Sequence, residues 1–269
     1  MTNDLTAPLA APAVADAPPA PPAADTVADR AFLMSMARVP LLAVIWVVAA
    51  AAAHQAWAVA GPADLPNFGP LAVLCFGMVL AAWIDGYAFK VPNWLTLALV
   101  VSGWYLGVLH DLGVPVDAGR GGIGSALLGT AIGFAALFPA LFIGGMGQGD
   151  VKMTMGFGAW IGAFFGFGYE LPNEDVISGP AVIWWAFALG VIIGGVFGLV
   201  IMAVRRQFHK NVQNFRAIAL DLQTLVTHGP AKAAERANAR RKDWVRLPYG
   251  VPLCVGFLGY LWYRLFLVG

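Results

Sequence analysis

From Val39 onward the chain alternates long apolar runs with short stretches that hold most of its charge, proline and polar residues. A helix that crosses a bilayer's hydrocarbon core needs roughly 20 apolar residues, with about 17–25 usual. Read between the charged and Pro/Gly punctuation, seven runs are candidates: Val39–Ala60, Gly69–Asp85, Trp94–Leu109, Ile123–Gly145, Val151–Gly168, Ala181–Val204 and Val251–Val268. The second and third are short and are expected to be tilted or partly immersed. The pattern predicts an all-α fold, a polytopic membrane helix bundle with about seven transmembrane helices. Gly156, Gly158, Gly162 and Gly166 repeat along the fifth run. Small-residue stripes of this kind let helix backbones approach closely in lipid.

Charge orients the bundle. The segment Arg205–Arg246 carries ten of the sixteen Lys and Arg residues. Excess Lys and Arg mark cytoplasmic loops. Counting spans backward from that segment puts Lys152, Lys90, Arg38 and Arg30 on the same side, leaving only Arg120 and Arg264 opposite. The opposite loops hold Asp64, Asp111, Asp117, Glu170, Glu174 and Asp175. This predicts a multi-pass membrane protein with a cytoplasmic N-terminus and a C-terminus on the opposite side.

Composition agrees. The 269 residues are 59% hydrophobic and 12% charged, where a soluble domain is about 25% charged, and mean hydropathy is +0.73. Residues 1–30 form an Ala/Pro-rich tail, expected to be disordered and dispensable, since it has little apolar surface to bury against chain entropy. The tail lacks the positive first segment and unbroken apolar stretch of a signal peptide. Residues 31–269 make up the transmembrane domain, with 205–246 as its basic cytoplasmic segment. Net charge is +1, and no nucleic-acid partner is expected. Cys75 and Cys254 stand alone in apolar runs, and His54, His110, His209 and His228 are scattered. No metal site and no cofactor are expected.

Two aspartates stand out against this apolar background. Asp85 ends the second run and opens Asp85-Gly86-Tyr87-Ala88-Phe89-Lys90-Val91-Pro92-Asn93. Asp150 closes Gly147-Gln148-Gly149-Asp150 and precedes Val151-Lys152-Met153. Carboxylates beside membrane-length apolar segments are costly to bury and mark functional sites. The derived topology puts both at the same depth on the cytoplasmic face. Two neighbouring carboxyls of low polarity surroundings hold one proton between them. The ionised member can act as base on water while the protonated one donates to a substrate carbonyl. Gly147 and Gly149 free the backbone for close approach and positive φ. Lys152 reads either as a snorkelling interfacial anchor or as an electrostatic partner of the acids. Pro92 suits the first turn of the third span, and Asn93 suits bonding to loop or helix-end backbone groups.

The conjunction resembles the type IV prepilin peptidases, GxGD-type membrane aspartyl proteases. In that family an aspartate is followed, at its sixth to eighth positions, by an Ile/Val-Pro-Asn-like triplet, here Val91-Pro92-Asn93. The second motif, G-x-G-D-x-K-hydrophobic, is here Gly147-Gln148-Gly149-Asp150-Val151-Lys152-Met153. Leu247-Pro248-Tyr249-Gly250-Val251-Pro252 is a weaker match to the family's last-helix motif. The resemblance covers roughly residues 70–268. It implies that Asp85 and Asp150 are catalytic, and that the partners are a lipid bilayer and a prepilin or pseudopilin. The basic leader of that substrate would be cut at the cytoplasmic face. Larger members carry two CxxC pairs and also methylate the new N-terminus. This sequence lacks those cysteines and resembles the minimal, peptidase-only form of Flp-type (tight-adherence) pilus systems. No feature sets an oligomeric state.

Two other functions use the same residues. An ion- or proton-coupled transporter also employs intramembrane carboxylates, but commonly shows inverted repeats, and no internal repeat is visible. A presenilin-like GxGD protease carries Tyr-Asp at its first acid and Pro-Ala-Leu late, whereas Ile84 precedes Asp85 here and the late motif is Leu-Pro-Tyr.

Overall fold

The structure is a computed structural model. It describes residues 30–63, 65–114, 116, 119–142, 147–170, 176–204 and 248–267, together with 220, 223, 224, 227 and 229. The expected tail and nearly all of the basic segment 205–246 lie outside the described residues.

The chain is an all-α helix bundle. Among the described residues there are seven α-helices: α1 (Arg30–Ala60), α2 (Gly69–Ala88), α3 (Asn93–Asp111), α4 (Ile123–Phe142), α5 (Gln148–Phe165), α6 (Gly179–Val204) and α7 (Gly250–Trp262). The last runs on as one π-helical turn, Tyr263–Leu267. Each apolar run is thus a helix. One feature lies outside the all-α expectation. A two-residue antiparallel ribbon pairs β1 (Tyr169–Glu170) with β2 (Val176–Ile177) in the loop between α5 and α6.

Five helices are long and apolar enough to cross a membrane: α1, α2, α4, α6 and α7 with its π turn. The expectation that the second span is short is corrected, because α2 has 20 residues and runs three past Asp85. The helices outside the five are α3 and α5. For α5 the reason is composition, since Gln148, Asp150, Lys152, Thr154 and its glycines dilute the apolar residues, and its position matches. From Asp150 to Phe165 every residue but Lys152 and Met155 is buried. Protein, with α3 and α4 as its main neighbours, shields this helix from lipid.

Glycine makes that packing possible. Gly129 of α4 and Gly158 of α5 lie backbone to backbone, and a Cβ on either would overlap the other's carbonyl oxygen. Gly133 faces the Thr154 carbonyl and Gly162 the Ser125 carbonyl in the same way. Gly156 points to α3, where a Cβ would stand 3.1 Å from that of Leu99. Gly166 ends α5 with φ of 58° and packs against the Arg120–Gly121 backbone. Interior polar groups pair across helices. The Trp160 indole N–H donates to the Leu99 carbonyl and the Ser102 hydroxyl, each at 2.9 Å. That of Trp104 donates to Thr130 Oγ1 at 2.9 Å. With no water to take them, such groups need internal partners.

Helix ends are held by short-range devices. The Asn67 side chain accepts from Gly69 N–H at 3.1 Å and donates to the His54 carbonyl at 2.9 Å, tying the start of α2 to α1. Phe89 closes α2 in the left-handed region, φ 51° and ψ 30°, with its N–H on the Asp85 carbonyl at 2.8 Å. A non-glycine residue is uncommon there.

Candidate active site

Asp85 sits in the last turn of α2 and Asp150 in the first turn of α5, 6% and 5% exposed. They are 65 positions apart in sequence, and the bundle brings them close enough for the Asp85 charge to act on Asp150. The start of α7 joins them. Gly250 N–H donates to Asp85 Oδ2 at 2.9 Å in a buried bond, and Tyr249 lies near enough to feel the Asp150 charge.

The two carboxyls are held differently. Asp150 is the third residue of α5, and its Oδ2 accepts from Gly147 N–H at 3.2 Å. That is the reciprocal half of a capping box, since glycine has no side chain to return the other bond. A carboxylate is favoured there by the helix dipole. Asp150 Oδ1 is buried and, among the described residues, has no hydrogen-bond partner. Buried polar atoms are nearly always paired, so an unengaged carboxyl oxygen beside a second acid is a chemical handle. Asp85 stands at the opposite kind of helix end, where the dipole disfavours a negative charge.

The two sequence motifs interlock around the acids. A Cβ on Gly149 would stand 3.2 Å from both the backbone N and the Cβ of Val91, so the glycine loop lies directly against the Val-Pro-Asn segment. Lys152 Nζ donates to Asn93 Oδ1 at 2.7 Å, joining α5 to α3. Pro92 is extended (φ −72°, ψ 142°) and its carbonyl accepts from the N–H groups of Leu95 and Thr96 at 3.1 and 3.3 Å, starting α3. The Thr154 hydroxyl donates to the Asp150 carbonyl at 3.0 Å.

One expectation changes here, and two residues gain a partner. The glycines are not needed for positive φ. Gly147 has φ of −78° and Gly149 is helical; close packing against Val91 explains Gly149. Asn93 does not serve backbone groups in its recorded bond but accepts from a side chain. Through that bond Lys152 reaches the other motif. Sequence reasoning gave Gly250 no role, although the Leu-Pro-Tyr-Gly segment was visible. A backbone N–H leaves no side-chain signature. Among the described residues no group of three or more His, Cys, Asp or Glu side chains could hold a metal.

Residues 72–203 match a family model described as the type IV leader peptidase family. That stretch, just under half of the chain, is similar to the type IV leader peptidases. The matched segment runs from α2 into α6 and contains Asp85, Val91-Pro92-Asn93 and Gly147–Lys152. A prepilin leader peptidase/N-methyltransferase of Xanthomonas campestris pv. campestris is 32% identical over 103 residues, 36% of this chain and 33% of that protein. The chain therefore matches about a third of the length of this curated relative. No solved structure matches.

Proposed function

We propose that the chain is an aspartic endopeptidase that removes the basic leader from type IV prepilins or pseudopilins at the cytoplasmic membrane face. One observation carries the mechanism. Two buried aspartates from separate helices lie near enough at one end of the bundle for the charge of Asp85 to act on Asp150, and among the described residues one carboxyl oxygen of Asp150 has no hydrogen-bond partner. The family-model match supports the substrate class, and the curated relative is named for prepilin leader cleavage. The charge pattern supports the face, because Lys90 and Lys152 flank the acids and fall on the side of the basic segment 205–246.

In this mechanism Asp85 and Asp150 share one proton, as close carboxyls of low polarity surroundings do. The ionised carboxylate takes a proton from water as it attacks the scissile carbonyl, and the protonated one donates to the carbonyl oxygen. Collapse of the tetrahedral intermediate returns a proton to the leaving amine and restores the pair. The shared proton belongs to the pair rather than to either residue. We assign the peptidase half of the relative's double name and not the methyltransferase half, in keeping with the two lone cysteines, Cys75 and Cys254.

The test is cleavage of a prepilin peptide with a basic leader and an apolar segment, by purified wild type and Asp150→Asn in detergent. Cleavage by wild type alone supports the proposal. Equal cleavage by the folded Asp150→Asn protein removes the aspartic mechanism. Absence of cleavage of several prepilins by folded wild type favours the transporter reading.

A further inference from the structure

We infer that the first turn of α7 is a third component of the site, and that Gly250 is the positioning residue for Asp85. The inference rests on the aspartic-peptidase reading above and extends it to a segment beyond the family match, which ends at residue 203.

The first N–H groups of a helix have no intrahelical acceptor. A side chain just before the helix usually takes one of them. Here Tyr249 precedes α7 and makes no side-chain cap bond. The acceptor of Gly250 N–H is instead a carboxyl 165 positions earlier in the chain. The bond is buried, and it complements Asp85 electrostatically. Asp85 lies in the last turn of α2, where the helix dipole is negative, and α7 presents its positive end to the same oxygen.

Space makes the arrangement specific to glycine. A Cβ at position 250 would lie 2.8 Å from Asp85 Oδ2 and 3.1 Å from its Cβ and Cγ. Any side chain would push the carboxyl away. Nor is α7 free to yield. Phe257 stacks on Phe157 of α5 at 4.3 Å, and Gly256 packs on the Gly190 backbone of α6. The helix therefore sets the Asp85 carboxyl from outside α2, while the Gly147 N–H sets Asp150 from within its own turn. Both acids are held by a glycine N–H, which adds no bulk where substrate must enter.

The experiment uses the full chain, with two changes at position 250. Gly250→Ala adds the clashing carbon. Replacing the Gly250 amide by an ester, with glycolic acid incorporated at that position, deletes the N–H and adds nothing. Gly259→Ala, on the same helix and with only an ordinary 3.8 Å contact to Leu189, is the control. Prepilin peptide cleavage gives kcat and KM, and thermal unfolding in detergent checks the fold. The inference expects kcat to fall about 10- to 100-fold in both position-250 variants, the loss typical of a reacting group misplaced by about 1 Å. KM stays within about twofold and the Gly259→Ala enzyme behaves as wild type. If Gly250→Ala fails to fold, the ester variant decides. Wild-type kcat in the folded ester variant overturns the inference. Asp85→Asn is run alongside: if it too cleaves normally, the aspartic-peptidase reading has failed; if it is inactive while both position-250 variants are normal, only the positioning role has.

Discussion

Aspartates at the two ends of the bundle do opposite things. At one end Asp111, the last residue of α3, is exposed and accepts the N–H of Ile123 at 2.9 Å, capping the start of α4. At the other, Asp85 and Asp150 also sit in helix-terminal turns but are buried, the charge of Asp85 acts on Asp150, and among the described residues one oxygen of Asp150 has no partner. Residue type and helix-end position are alike. Solvation differs, and with it the role. A carboxylate with water on one side and a helix N-terminus on the other stabilises the fold at little cost. A pair removed from water has a costly ionised state, kept only where it serves chemistry.

The largest effect expected from breaking this contrast is at the buried pair. Asp85→Asn or Asp150→Asn should each lower cleavage by about a thousandfold or more, the scale of losing one member of a catalytic unit. The double variant should be no worse than either single one. Size-exclusion profiles in detergent should stay those of the wild type. Cleavage within tenfold of wild type by either single variant would remove that residue from the reaction.

Next in size is the seam that carries α5 to its place. Gly158→Val sets a branched side chain against the Gly129 backbone. Overpacking commonly costs about 1–3 kcal/mol, and more where no side chain can give way. Thermal unfolding should shift strongly downward, and activity should fall only with the folded fraction. A normal midpoint would mean that the helices separate more easily than their glycines suggest.

Smaller is the tie between the motifs. Lys152→Met and Asn93→Ala should each reduce kcat/KM by about tenfold, and together by little more, because partners in one bond are not additive. Kinetics on the four-member cycle measure this; full additivity would mean that Lys152 and Asn93 act separately.

The smallest effect belongs to the exposed acid. Asp111→Ala removes a cap and should lower Tm by about 2–4 °C while kcat and KM stay as they are. A cleavage defect in this variant would erase the distinction between the two ends.

Much of the fold was legible in the residues. Each of the seven apolar runs is a helix; for the five of membrane length, lipid leaves the backbone no other way to satisfy its polar groups. The acids were legible too, as charges where charge is expensive. Ends were read less well. Helix α1 begins at Arg30 rather than near Val39 and runs through Pro40; α2 continues to Ala88 before Phe89 turns left-handed. Such limits depend on cap geometry, which apolar periodicity does not encode. The glycines of the fifth run were legible as packing residues, but their partners were not. Gly158 and Gly162 face α4 while Gly156 faces α3, a matter of helix rotation.

By itself, then, the sequence determined that the chain is a membrane-length helix bundle, that Asp85 and Asp150 are its anomalous charges, and that their motifs are those of the leader peptidases. All of this follows from local cost, since each residue's fitness for lipid or for a helix end depends on its near neighbours. Only the tertiary structure decided which groups meet. That Asp150 is engaged through one oxygen alone, that Lys152 reaches Asn93, and that Gly250 gives its N–H to Asp85 depend on contacts spanning 59 and 165 positions. Backbone donors and helix rotations set those contacts, and neither has a residue type of its own.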